Sequence, residues 1–325
     1  ENFYPDTQYE IVERHDWDGE LAVEDNSSSL QITTMATDGV KLLLTKNPLR
    51  ITFSQKNSSE PLLKEKDGVL WSGNTITESF VATTDEHFAG LGHERYGRIP
   101  KLDRTGTSLK VSAGSEGACI VPFFLSSRGY GVLLNTTFTH TISLCSGGVY
   151  SLAINGEGYG GKMDYFFIAG PKLTQVLDRY TQLTGRARLP QKSIFGLHLS
   201  DKSDPAHQGE SWWKDMITKH RGAGFAIDHQ VNDNAWRMSN DAVSTQQNSW
   251  FEFNKKYNPP EYKKWCDANG ITVTLDLNRP NIPRCWGWDQ AKYGIPNSTA
   301  CPDFTNPAAR KWIWDLFYNK AFNPA

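Results

Sequence analysis

Two short segments in the second half of the chain combine carboxylates, amides and indoles. The first runs from Asp228 to Trp236 and carries Asp233 near its end, and the second begins at Asp276 and carries Asn278. A carboxylate can accept hydrogen bonds from two hydroxyl groups, while an indole can cover the C–H face of a sugar ring. These residue types therefore indicate a binding site for a carbohydrate.

Each segment follows an apolar run that is typical of a buried β-strand. Asp233 and Asn278 come just after the predicted strand ends, where side chains can point into the mouth of a barrel. Trp236 lies in the first of these loops, and Trp286 and Trp288 lie in the second. We therefore predict that these five residues bind a sugar.

The same polar residues could have structural roles instead of binding a sugar. An aspartate after a strand is often a helix cap or a turn residue, and Asp276 also suits a buried acid bonded to a neighbouring strand. Asp233 is the stronger candidate because an asparagine and Trp236 share its loop. His198 and His229 lie on predicted strands, where a histidine is more often a satisfied core residue than a catalyst.

The composition excludes several classes of partner. Among 325 residues, 34 Lys and Arg stand against 36 Asp and Glu, so the formal net charge is -2. This balance gives no electrostatic basis for binding nucleic acid or an anionic membrane surface. No window approaches the roughly 18 consecutive apolar residues of a membrane span. We therefore expect no nucleic-acid partner and no membrane span.

Neither a metal site nor a serine nucleophile is indicated. The 8 His and 5 Cys show no CxxC, HxxxH or HExxH spacing, and no G-x-S-x-G motif is present. Cys285 and Cys301 could form one disulfide, although buried free thiols fit equally well. No metal or organic cofactor is therefore predicted.

The chain changes character near residue 170. Before that point, short alternating runs separated by Gly- and Asp-rich turns predict an antiparallel β-sandwich. Beyond it, Leu173, Val176, Leu177 and Tyr180 have helical spacing before Gly185. The predicted strands that follow cover residues 194–199, 225–231 and 271–277, and the predicted helices cover 211–222, 259–269 and a segment that Asn306 and Pro307 begin.

Three strand-then-helix units in series favour a parallel sheet covered by helices, either doubly wound or a (β/α)8 barrel. A complete barrel is longer than the stretch after Pro190, and an unclosed sheet would leave strand edges bare. We therefore expect the front part of a larger polypeptide. The predicted domains are an N-terminal β-sandwich over residues 1–188 and the first three βα units of a (β/α)8 TIM barrel over residues 189–325, with the remainder beyond Ala325.

Several blocks of the sequence resemble glycoside hydrolase family 31. A Leu-Pro pair at Leu189 and Pro190 is also similar to the linker that leads into the first barrel strand of family members. The blocks occur in the family's order across about residues 90 to 312. They comprise residues 90–92 together with 122–132, then 164–171, 180–186 and 302–310.

The resemblance implies an exo-acting, retaining α-glycosidase, chiefly of the α-glucosidase or α-xylosidase type. Such enzymes use a nucleophilic and an acid/base carboxylate roughly 5 Å apart. In family members the nucleophile follows the fourth barrel strand, so both carboxylates are expected after Ala325. A transglycosylase, an α-galactosidase, an α-N-acetylgalactosaminidase and a non-catalytic sugar-binding protein remain alternatives.

The resemblance also assigns site residues. Asp233 aligns with a family aspartate that binds sugar hydroxyls, and Asn278 falls where many members have aspartate. Trp286 or Trp288 corresponds to a loop tryptophan placed against the substrate. The substrate is therefore expected to be an oligosaccharide or glycoside.

Besides Asn278, the chain departs from the common family pattern at two further positions. Many members have arginine where Asp201 follows the first barrel strand, and Ala235 replaces a second aspartate. These departures leave the identity of the sugar open. Because the chain starts at Glu1 without an initiator Met or a signal-like stretch, we expect a mature secreted, periplasmic or cell-surface protein.

Overall fold

The computed structural model shows two compact units, Glu1–Ala187 and Arg188–Ala325. Strands of the first unit pair antiparallel, whereas those of the second pair in parallel. The residues that the structure describes are 11–13, 19–93, 101–111, 119–136, 138–146, 148–155, 162–201, 209–233, 236–237, 252–276, 287–294, 302–304 and 306–319.

The first unit is a β-sandwich, which confirms the prediction for this part of the chain. Its larger sheet has the order β1-β2-β3-β4-β5-β7-β13-β12-β9, with β6 also paired to β7, and its smaller sheet has the order β14-β11-β10-β8. The strands are β1 Leu21–Asp25, β2 Ser29–Thr34, β3 Val40–Lys46, β4 Leu49–Gln55, β5 Pro61–Glu65, β6 Leu70–Ser72, β7 Thr75–Val81, β8 Phe88–Gly90, β9 Ser108–Val111, β10 Phe123–Ser126, β11 Tyr130–Leu134, β12 His140–Ser146, β13 Val149–Asn155 and β14 Tyr165–Ala169.

The core of the sandwich lies between the two sheets. On β13, Tyr150, Leu152 and Ile154 are buried and alternate with less buried residues, as a strand with one face on the core requires. Phe53 on the larger sheet stacks on Phe167 of the smaller one, with ring centroids 4.2 Å apart. The apolar alternation therefore determines which face of each sheet is covered.

Two of the buried glutamates of the sandwich, Glu78 and Glu86, accept hydrogen bonds from core phenols. The Tyr165 hydroxyl donates to Glu78 Oε1 at 2.9 Å, which connects β14 to β7 across the sandwich. Tyr130 donates to Glu86 Oε1 at 2.5 Å, and the Tyr150 hydroxyl lies 3.3 Å from that of Tyr130. Both carboxylates are 1% exposed. They are held by phenol donors because a buried carboxylate without a hydrogen-bond donor is strongly destabilising.

The segment 90–92, one of the blocks that carry the family resemblance, forms a left-handed turn. Gly90, Leu91 and Gly92 have φ angles of 116°, 64° and 67°. The buried Arg104 donates from Nε to Gly90 O at 3.2 Å and from Nη2 to Gly92 O at 3.1 Å. A side chain on Gly92 would collide with the Cys119 carbonyl and would lie 2.7 Å from Val121 N. Glycine is therefore required at position 92 on two counts.

Replacing Gly92 by alanine is expected to destabilise the sandwich by about 3 kcal/mol, because both backbone strain and a backbone clash must be relieved. Gly106 is a matched control, since its φ is 76° and a Cβ there meets nothing within 4 Å. Gly106→Ala should cost only about 1 kcal/mol. Urea denaturation of both variants measures the difference, and equal costs would contradict the clash.

Helix α1 (Leu173–Thr184) covers the outer face of the smaller sheet. Val176 and Leu183 are buried against Leu133, and Tyr180 stacks on Phe123 at 3.9 Å. Strand β11 is consequently buried on both faces. The predicted C-terminal stop is confirmed, because Gly185 follows the helix with a φ of 86°.

Among its described residues, the second unit contains three parallel strands in the order β15-β16-β17. Its buried core combines Trp213, Ile217, Tyr262 and Cys266 from the helices with Ile227 of β16. The strands are β15 Leu197–Asp201, β16 Ile227–Asn232 and β17 Thr272–Leu275, and the helices are α2 Glu210–Gly222, α3 Pro259–Ala268, α4 Gln290–Tyr293 and α5 Pro307–Phe317.

One predicted strand begins later than expected. The segment predicted as strand 194–199 opens with a 3-10 turn, Lys192–Phe195, and β15 starts only at Leu197. Gly196 lies between them and donates its N–H to Ser193 O. A Cβ on Gly196 would overlap the Asp228 carboxyl, so glycine lets β16 approach the turn.

Helix α5 agrees with the sequence prediction at its start. Asn306 Oδ1 accepts a hydrogen bond from Ala308 N at 2.9 Å, and Pro307 occupies the first turn. Ala309 and Phe317 are the buried residues of this helix. The apolar stripe therefore faces protein as its spacing predicts.

Candidate functional site

All three parallel strands of the second unit lead into an aspartate at the same edge. Asp201 is the last residue of β15, Asp233 directly follows β16, and Asp276 directly follows β17. The register pairs Asp201 with Asn232 and Asn232 with Leu275. Because the strands are parallel and in this register, the three aspartates lie at the same, carboxyl end of the strands, with Asp201 one register position before Asp233 and Asp276. We call this set the acidic edge.

Backbone hydrogen bonds connect the ends of β16 and β17. Asp276 N donates to Asn232 O at 2.9 Å, and Trp236 N donates to Asp233 O at 3.3 Å. The indole nitrogen of Trp236 donates to Asp276 O at 2.8 Å. Trp236 is thereby connected both to Asp233 and to the end of the neighbouring strand β17.

Trp236 has a different environment from the one predicted. Its side chain is 0% exposed and packs against Phe253 at 5.1 Å and Phe317 at 6.5 Å between ring centroids. The structure thus places this indole in the apolar core beneath the acidic edge. With both ring faces covered by protein, Trp236 presents no surface on which a sugar could stack.

Arg237 is a functional candidate that our sequence analysis did not identify. Its side chain is 3% exposed, and its guanidinium interacts electrostatically with Asp276 and Asp233. Burial lowers the pKa of Arg237, while the two carboxylates act in the opposite direction. The only signal in the sequence is an arginine directly after the loop tryptophan. The acidic edge therefore contains its own buried counterion.

A polar network lies behind β16, on the side of helix α3. Gln230 Nε2 donates to Asn232 Oδ1 at 2.7 Å, the Tyr257 hydroxyl donates to the same oxygen at 3.2 Å, and the Tyr262 hydroxyl donates to Gln230 Oε1. Burial raises the pKa of Tyr262, so it remains a neutral donor. These amides orient the strand end that precedes Asp233.

The other predicted site residues are not brought together by the described part of the structure. Trp288 is half-buried and packs against Trp312 at 5.4 Å and Tyr293 at 6.5 Å between ring centroids. Asn278 and Trp286 lie outside the described residues, as does the Cys285–Cys301 pair. Of the five predicted sugar-binding residues, only Asp233 and Trp236 are therefore seen to be neighbours.

The two strand histidines pair with one another. The rings of His198 and His229 stack at 4.3 Å, and His229 Nε2 lies 2.5 Å from Thr274 Oγ1. Burial lowers the pKa of His229, and the neighbouring His198 lowers it further. His229 is buried as predicted, but its Nδ1 atom has no hydrogen-bond partner among the described residues, and His198 is exposed in the structure.

The described residues hold no group of three or more His, Cys, Asp or Glu that could bind a metal ion. Within the same ranges, none of the helices has the length and apolar character needed to cross a membrane. Cys119 is exposed and Cys266 is buried, and both are free thiols.

A β-sandwich followed by parallel βα units with an acidic edge defines the general class of the chain. Residues 1–142 match the glycosyl hydrolase 31 N-terminal galactose mutarotase-like domain. The chain is 29% identical over 336 residues to the α-xylosidase XylQ of Lactiplantibacillus pentosus, which covers 92% of this chain and 41% of that protein. It is 26% identical over 192 residues to an isomaltosyltransferase of Sporosarcina globispora, covering 54% of this chain and 18% of that protein.

Solved structures that match the fold of this chain include GH31 enzymes. A GH31 dextranase of Flavobacterium johnsoniae complexed with isomaltotriose matches with a TM-score of 0.77 at 20% identity, covering 100% of this chain and 41% of that one. A GH31 α-xylosidase from a soil metagenome complexed with xylose matches with a TM-score of 0.71 at 16% identity, covering 100% and 51%. The N-terminal part of the chain thus matches a family 31 domain, and the chain spans about two fifths of the length of relatives such as XylQ.

Proposed function

We propose that the whole protein is an exo-acting, retaining α-glycosidase. In this proposal residues 1–188 form the N-terminal sandwich domain, and residues 189–325 form the first three βα units of the catalytic (β/α)8 barrel. The parallel order of β15, β16 and β17, with helices between them, supports the barrel. The similarity to family 31 structures supports the activity.

The observation that carries the proposal is the acidic edge. In barrel enzymes the substrate binds at the carboxyl ends of the strands, and all three strands here lead into an aspartate at that end. Carboxylates in this position can accept hydrogen bonds from sugar hydroxyls. Asp233 is the proposed ligand for the sugar at the reacting subsite, and Asn278, Trp286 and Trp288 remain proposed parts of the same subsite.

The reaction itself needs two further carboxylates. In a retaining mechanism one carboxylate attacks the anomeric carbon while the other protonates the departing oxygen, and water then hydrolyses the glycosyl-enzyme intermediate. We propose that both residues follow Ala325. The contribution of this chain is then to bind and orient the sugar so that the anomeric carbon meets the nucleophile.

Glycosyl transfer is the second candidate function. Its support is that relatives of the chain include an isomaltosyltransferase and, among solved structures, a cycloalternan-forming enzyme. Transfer and hydrolysis share the covalent intermediate and differ in whether a sugar or water accepts the glycosyl group. The acidic edge serves either reaction equally.

A panel of p-nitrophenyl α-glycosides tests the proposal on the full-length protein. The panel contains the glucoside, xyloside, galactoside and N-acetylgalactosaminide, and we expect release of p-nitrophenol from one of them. Proton NMR of the first product should show the α-anomer, and products longer than the substrate would indicate transfer. No reaction with any α-glycoside, by an intact folded protein, would count against enzymatic function.

A further inference from the structure

We propose that Arg237 is a positioning residue that holds Asp233 for the sugar through its charge, while the hydrogen bonds of the adjacent Trp236 to Asp233 and Asp276 restrain its position. This inference rests on the proposed function, because it assumes that Asp233 binds substrate. It assigns Arg237 no direct contact with the sugar.

The first argument is burial. Arg237 is 3% exposed, so its guanidinium has little access to water and must be neutralised by protein groups. The charged groups that act on it are Asp276 and Asp233. A guanidinium is planar and can bind carboxylates with fixed geometry, which a flexible ammonium cannot do. Arg237 is therefore suited to orient the two aspartates.

The second argument is electrostatic. Asp233 and Asp276 are like charges that both act on this guanidinium, and their mutual repulsion favours outward rotation of a side chain. A buried cation beside both of them offsets this repulsion. The Asp233 side chain can then be held in one orientation for sugar hydroxyls.

The third argument is the rigidity of the connection. Trp236 N donates to Asp233 O at 3.3 Å, and the Trp236 indole donates to Asp276 O at 2.8 Å. Asn254 N donates to Trp236 O at 2.8 Å, and Arg237 forms an isolated antiparallel bridge with Phe253. Hydrogen bonds thus restrain the backbone of Trp236 and Arg237 themselves. Movement of the guanidinium relative to Asp233 is restricted accordingly.

The test compares R237Q, R237K, D233A and the double variant D233A/R237Q in the full-length enzyme, on the best α-glycoside of the panel. R237Q is expected to raise KM at least about 10-fold with a smaller change in kcat, and R237K to recover part of that loss. Because Arg237 acts through Asp233, the double variant should bind substrate no worse than D233A. Additive effects would overturn the proposal.

Arg221 provides a matched control. It is also an arginine bonded within this unit, donating from Nη2 to Ile227 O and from Nη1 to Asn269 O, but it lies at the opposite end of β16. R221Q should lower the thermal unfolding midpoint and leave KM unchanged. A folded R237Q protein with wild-type KM would contradict the proposal.

Two outcomes need separate treatment. If R237Q does not fold, the KM of D233A/R237K is compared with the KM of D233A. The two values should be equal, because lysine at position 237 should have no further effect once Asp233 is absent. A wild-type protein that hydrolyses no α-glycoside would overturn the proposed function and this inference together. An active wild type whose KM is insensitive to both R237Q and R237K would overturn the inference alone.

Discussion

Replacing Asp233 by alanine in the full-length enzyme is expected to lower kcat/KM by roughly 30- to 1,000-fold, equivalent to about 2–4 kcal/mol of lost transition-state stabilisation. The reason is that hydrogen bonds between a carboxylate and sugar hydroxyls strengthen as positive charge develops on the ring. Steady-state kinetics on the best substrate of the α-glycoside panel measures the loss.

Asp233→Asn separates the charge of the side chain from its shape. An amide keeps one acceptor but carries no charge, so its kcat/KM should fall between those of wild type and Asp233→Ala. Asp315→Ala is the matched control, because Asp315 is half-exposed and forms an i,i+4 pair with Lys311 on α5. That variant should keep wild-type kinetics, since such pairs contribute little. An unchanged kcat/KM in Asp233→Ala would remove Asp233 from the site.

Replacing Glu78 by glutamine is expected to stabilise the sandwich at alkaline pH and to have little effect at acidic pH. Burial raises the pKa of Glu78 from 4.5 to about 7; the Tyr165 hydrogen bond lowers it, and the charge of Glu65 raises it. Because the folded-state pKa lies above the unfolded one, the favourable contribution of Glu78 is complete below about pH 4.5. That contribution is lost as the pH rises towards 7.

The size of this effect follows from the same shift. At pH 8 the ionised, buried Glu78 destabilises the fold by up to about 3 kcal/mol, and glutamine removes this cost while still accepting from Tyr165. Calorimetric unfolding at pH 4.5 and pH 8 measures the gain. Glu60→Gln, at an exposed position, should show no difference between the two pH values. A Glu78→Gln variant that is destabilised at pH 8 would contradict the expected sign.

Local signals predicted the elements of the fold well. Asn306 with Pro307, and Gly185 after a periodic segment, marked helix ends because caps act within one turn of the chain. The late start of β15 was missed because it depends on Gly196 accommodating Asp228, a contact between two strands. Element types could thus be predicted, whereas a boundary fixed by tertiary contact could not.

The candidate site was predicted less completely than the fold. Asp233 was identified because it follows an apolar strand in a loop that also carries an asparagine and Trp236. Trp236 was expected to face a ligand because it follows a strand end, but the chain folds back and buries it against Phe253 and Phe317. Arg237 was overlooked because one arginine in a polar loop has no distinctive spacing. The burial of Trp236 and the position of Arg237 both depend on packing between segments that are distant in sequence.

The phenols inside the sandwich give the protein an intrinsic optical probe of folding. Burial raises the pKa of Tyr130, Tyr150 and Tyr165 above their ordinary value of 10.0, and each is bonded to or lies close to a buried glutamate. Exposed tyrosines ionise in moderately alkaline solution, whereas these three can do so only when the two sheets separate. Burial also raises the pKa of Tyr257 and Tyr262 in the second unit, so the ultraviolet absorbance of late-forming phenolate would report the opening of either unit without any added label.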